Sequence, residues 1–135
     1  MTASPPDALA LFELAGDHDE AGREAEAIPR YREALALGLV DPERSRATVQ
    51  LASSLRNVGE LDQALGLLDA TGLDPELAPS IAAFRALVLH DLGRHDEALA
   101  TALGAFAPSL PAYRISVAAY ASSLGGQPSP PAVPP

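Results

Sequence analysis

The chain has 135 residues, 47% of them apolar but only 4% aromatic, with no Cys or Trp and a formal charge of −9 at pH 7. That length gives one domain with a small core, and the missing Cys excludes disulfides, thiolate metal sites and Cys nucleophiles. All nine basic residues are Arg, and the acidic balance argues against nucleic acid or an anionic membrane as a partner. A core poor in rings and β-branched residues must be built from Ala and Leu, the strongest apolar helix formers, so an all-α fold is expected. The opening MTASPPDALA lacks the basic and apolar regions of a secretion signal, and no stretch is long enough to span a bilayer, so a soluble cytoplasmic protein is expected.

Helix start and stop signals then recur in chain order. Ser4, Pro5 and Asp7 supply a cap, a Pro at the first helical position and an early acid, opening a first helix that ends before Gly22. After Gly22, Ala27, Tyr31 and Ala34 step by four and three along a second helix. Asp41-Pro42 opens a third helix, on which Thr48, Leu51, Ala52 and Leu55 share one face before Gly59. Ala64, Leu68 and Thr71 mark a fourth, and Asp74-Pro75 begins a fifth that runs to Gly93. Ala98, Ala102 and Ala105 mark a sixth; Ser109, Leu110 and Pro111 open a seventh, stopped by Gly125-Gly126. Pro29 lies inside the second helix, near its start. The tail GGQPSPPAVPP carries five of the 13 Pro and is expected to be extended and disordered over 125–135; its two PxxP spacings are too short a signal to name a ligand.

Gly22, Gly59 and Gly93 are spaced by 37 and 34 residues, and Ala27, Ala64 and Ala98 repeat the same two intervals. Each unit is helix, Gly turn, helix, with small residues where two helix axes approach closely. A helix-turn-helix unit of about 34 residues with this small-residue pattern resembles the tetratricopeptide repeat. The stretches YREALALGL, QLASSLRNVGELDQAL and AFRALVLHDLGRHDEAL are similar in particular to small single-domain bacterial proteins of that family. The resemblance implies a right-handed all-α solenoid of three repeats, about 8–38, 45–73 and 79–107, with a capping helix over about 109–124, in one domain spanning 1–124. His18, Thr48 and Arg85 depart from it, standing where a large apolar residue is usual. Because Phe84 lies beside Arg85, the third register is ambiguous by one residue.

What the resemblance further implies is that positions two, five, nine and twelve of each first helix line a concave, partner-binding groove. The expected groove residues are Phe12 and Asp19 on the first helix; Arg46, Val49, Ser53 and Arg56 on the third; Leu87 and His90 on the fifth; and Ile115 on the capping helix. Arg46 and Arg56 would pair with a carboxylate or carbonyls of a bound peptide, while Phe12, Val49, Leu87 and Ile115 give apolar contact. The carboxylate-clamp members of the family carry Lys and Asn where this chain has Phe12 and Gly16, so a chaperone adaptor of that type is not expected. The alternative is a homodimer formed through Tyr113, Ile115 and Tyr120 of the terminal helix.

The sequence offers no serine-nucleophile elbow, phosphate-binding Gly loop or dinucleotide fingerprint, so neither catalysis nor a cofactor is expected. His18, His90 and His95 each lie beside acids, but no two share a helical face, and His90 and His95 straddle a turn. Structural or solvated roles are expected for them, with no metal.

Overall fold

In the computed structural model, which describes residues 5–126, the chain is all-helical. Among the described residues seven α-helices run in order: α1 (Pro5–Glu20), α2 (Glu24–Ala36), α3 (Glu43–Asn57), α4 (Leu61–Leu68), α5 (Ala78–Asp91), α6 (His95–Phe106) and α7 (Arg114–Leu124). Two 3-10 turns, Pro75–Leu77 and Ala107–Ser109, precede α5 and follow α6. There is no strand among the described residues, and no described helix is long and apolar enough to cross a membrane. The part of the expected tail beyond Gly126 lies outside the described residues.

The described residues form two compact units, one ending at Leu77 and the other beginning at Ala78. In the first, α1 pairs with α2 and α3 with α4, and α3 also packs on both α1 and α2. Ala residues make these approaches possible: Ala8, Ala15, Ala27, Ala34, Ala47, Ala52 and Ala64 are fully buried, with Tyr31, Leu51 and Leu55 filling the space between. In the second unit, α5 pairs with α6 and α6 with α7, around Val88, Leu89, Ala98 and Ala121. There, the end of α7 lies so close to α6 that a Cβ on Gly125 would meet that of Ala100 at 3.3 Å.

One turn is built three times. The amide of Gly22 donates to the Asp19 carbonyl at 2.9 Å, and that of Arg23 to His18 at 2.8 Å. Gly59 donates to Arg56 at 3.0 Å and Glu60 to Leu55 at 2.8 Å; Gly93 donates to His90 at 3.0 Å and Arg94 to Leu89 at 2.9 Å. This double closure satisfies the last carbonyls of each first helix and needs a left-handed residue at its centre, where φ is +76°, +86° and +78°. The correspondence fixes the third register: Leu89, fully buried, occupies the place of Leu55 and His18.

The residues that depart from the repeat pattern are each satisfied locally. Thr48 is buried and turns its hydroxyl to the Arg44 carbonyl at 2.9 Å. Half-buried Arg85 donates to Thr101 on α6 at 2.8 Å. Arg23 donates to Nδ1 of His18 at 3.1 Å.

The start of α3 is fastened by Asp41, whose Oδ1 accepts from the Ser45 amide at 2.9 Å and the Ser45 hydroxyl at 2.6 Å. The Ser45 hydroxyl bond, joined by Arg44, holds the Asp41 carboxyl below the usual carboxylate range. Buried Ser45 also accepts from the Asp74 amide at 2.9 Å, and Arg44 donates to the Gly72 carbonyl, so the segment after α4 is tied back to the head of α3.

Three boundaries differ from expectation, the first being the fifth helix, which starts at Ala78 after the 3-10 turn Pro75–Leu77 and not at Pro75. The helix carrying Ala64 and Leu68 stops at Leu68, leaving Thr71 in a turn, because Gly66 weakens a short helix and Gly72 turns left-handed just beyond it. The terminal helix begins at Arg114 and not at Ser109. Ser109 bonds backward to the Phe106 carbonyl at 2.7 Å and closes α6, Leu110 before Pro111 is extended, and Tyr113 adopts a left-handed φ of 68° ahead of α7.

At Gly59 the space around a new Cβ is open, so Gly59→Ala tests backbone strain alone. It should destabilise the chain by about 1–2 kcal/mol. Urea denaturation checks this; an unchanged midpoint would contradict the turn as the stop signal.

Candidate partner-binding site

In the first unit, α3 presents Arg46, Val49, Ser53 and Arg56 at steps of three, four and three, which keeps them on one side of the helix. Arg46 is exposed, Ser53 and Arg56 are half-buried, and Val49 is 7% exposed, so Val49 belongs to the core beneath this face. On α1, Phe12 is half-buried and packs tilted on Tyr31, with ring centroids 6.2 Å apart.

Asp19 is engaged on both oxygens. Tyr31 of α2 donates to Oδ2 at 2.6 Å, and Ser54 of α3 donates to Oδ1 at 2.6 Å. The Gln50 amide lies 2.8 Å from the same tyrosine oxygen. The facing atom is Gln50 Oε1, so it and Asp19 Oδ2 are alternative acceptors for the one hydroxyl proton, with Asp19 the closer. Burial first, then the bond to Asp19 and the nearby charges of Asp19 and Glu20, push the Tyr31 hydroxyl far above the ordinary phenol range. Asp19 therefore ties three helices together at the edge of the expected groove. Tyr31, Gln50 and Ser54 did not stand out as site residues in sequence; the available signal was that a buried Tyr hydroxyl requires a partner.

In the second unit the expected residues lie open. Leu87 is 44% exposed, Ile115 is 68% exposed, and His90 is exposed at the end of α5. Other large apolar groups are open as well, among them Phe106, Tyr113 and Tyr120.

Two clefts had no sequence signal. One, of about 440 Å³, lies in the first unit between Leu35 of α2, Leu51 and Leu55 of α3 and Leu67 of α4, where Arg32 bridges to Gln63 at 2.6 Å. The other, of about 470 Å³, lies in the second unit, lined by small residues of α6 and α7 with Arg85 and Glu97 at its side. Glu97 is held below the usual carboxylate range chiefly by its hydrogen bonds from Arg94.

The family described as Tetratrico peptide repeat matches residues 8–124. The chain belongs to the tetratricopeptide repeat family. Among solved structures it is similar to PcrH, in a crystal structure of PcrH in complex with the chaperone binding region of PopB. That likeness has a TM-score of 0.63 at 21% identity and covers 90% of this chain and 97% of PcrH, and it shows a shared fold. No curated protein matches the chain. As a tetratricopeptide repeat protein the chain is a protein-interaction module, a role for which paired helices supply an extended surface.

The Asp19 cluster and exposed Arg46 should respond differently to truncation. Tyr31→Phe should cost about 1–2 kcal/mol, because a charge-assisted bond is lost beside a half-buried carboxylate. Arg46→Ala should stay within about 0.5 kcal/mol of the parent. Urea denaturation of both variants checks the contrast; equal costs would contradict these placements.

Proposed function

We propose that this repeat protein is a non-catalytic cytoplasmic module that binds a segment of another protein on the faces of its first helices. The observation that carries the reading is the set of large apolar side chains left open on those helices, Leu9 on α1, Leu87 on α5 and Ile115 on α7, together with exposed Arg46 on α3. Exposed apolar groups, and in the first unit a cation, suit a partner segment that brings apolar anchors and a carboxylate. Phe12, Ser53 and Arg56 would border the contact in the first unit, and His90 in the second. Val49 would support the face from below, and Asp19 would hold its edge by keeping α1, α2 and α3 in register. PcrH, of the same fold, is in complex with the chaperone binding region of PopB, which supports a protein segment as the class of ligand.

A second reading is favoured by one observation. Tyr113, just before α7, and Ile115 and Tyr120 on it are 80%, 68% and 69% exposed, and exposed apolar groups that cluster mark interaction surfaces. In that reading the terminal helix pairs with a second copy to make a homodimer.

Affinity capture from native lysate, comparing the parent with an Arg46→Glu, Arg56→Glu variant, separates the two. A partner protein kept by the parent and lost by the variant, with unchanged helicity, is expected. Recovery of the chain's own copies alone from both would favour the homodimer.

A further inference from the structure

The turn built three times carries histidine on both flanks only once. The positions three before and two after the central Gly are Asp19 and Glu24 at the first turn, Arg56 and Leu61 at the second, and His90 and His95 at the third. At that third turn the chain reverses between α5 and α6 and brings the two rings together, with centroids 4.7 Å apart and Nδ1 facing Nδ1 at 3.1 Å. Both side chains are exposed. The separation in sequence that seemed to part them is therefore what joins them.

In the unliganded pair one Nδ1 carries a proton and the other accepts it. With both protons on the outer Nε2 atoms, two lone pairs face each other, an arrangement that a cation between them would stabilise. Imidazole nitrogens bind zinc at about 2.0–2.1 Å, and two such ligands in a tetrahedral sphere stand about 3.3 Å apart. The observed 3.1 Å is close to that spacing. We propose that His90 and His95 form a two-imidazole site for a divalent transition-metal ion of the zinc or nickel class, with its remaining positions open to water or an external ligand. Imidazole is a suitable donor for both metals. Arg94 draws the Glu97 carboxylate away with bonds of 2.6 and 3.0 Å. Among the described residues no group of three or more His, Cys, Asp or Glu side chains is placed to hold an ion, so the site supplies two protein ligands and stays open.

Calorimetric titration of the untagged full chain with zinc chloride, and separately nickel chloride, in a non-coordinating buffer at mildly alkaline pH tests the proposal. Saturable binding of one ion per chain is expected for at least one metal. His90→Ala and His95→Ala should each weaken it by at least the roughly 10- to 100-fold that loss of an outer-shell partner costs. His18→Ala, in the other unit, should leave it unchanged. Because both rings are exposed, the variants should fold, which circular dichroism checks. Absence of saturable binding for both metals, or binding that survives either His90→Ala or His95→Ala, would overturn the site.

Discussion

Each hairpin of this protein begins from the same constraint: a first helix must end in a residue with positive φ whose amide, and that of its successor, turn back to the helix's last free carbonyls. Gly22, Gly59 and Gly93 meet it with matching pairs of hydrogen bonds. The residue after each Gly, Arg23, Glu60 or Arg94, then starts the next helix with nearly the same backbone angles. Once the reversal is fixed, the two helices of a pair can close only if their facing residues are small, and the buried Ala residues follow from that geometry.

Polar groups add order where Ala and Leu alone would pack without a preferred register. Asp19 joins α1 to Tyr31 of α2 and Ser54 of α3, while Asp41 and Ser45 fasten the head of α3 to the segment after α4. Both clusters lie in the first unit, whose core also holds the larger share of buried residues. The second unit has fewer, and leaves Leu87, Phe106, Tyr113, Ile115 and Tyr120 open. A scaffold held by its interior and open on selected faces suits an interaction module, and the proposed assignment of those faces rests on their exposure.

The elements carrying Gly turns were legible in the sequence because one residue type is nearly obligatory at each reversal and recurs at almost constant spacing. Thr71 and Ser109 were misread for the opposite reason. Helix termination at Leu68 depends on the sum of Gly66, a short element and Gly72, and a Ser before a Leu-Pro pair can cap the helix ahead or close the one behind. The role of Asp19 was hidden because its partners lie 12 and 35 residues away, on two other helices. Val49 was placed on the groove by family position, but burial also depends on how far the neighbouring helix covers that side, which spacing along α3 does not encode. His90 and His95 belong to different helices, so no single helical face carries the pair, which the turn itself makes.

Site-specific photo-cross-linking in cells tests the central claim, that first-helix faces receive another protein, most directly. A photoreactive residue replaces Arg46 on α3 and, as a control, exposed Asp62 on α4. The account predicts a defined cross-link to a different protein from position 46 and not from position 62. Cross-links from position 46 only to the chain's own copies, or the same products from both positions, would contradict it.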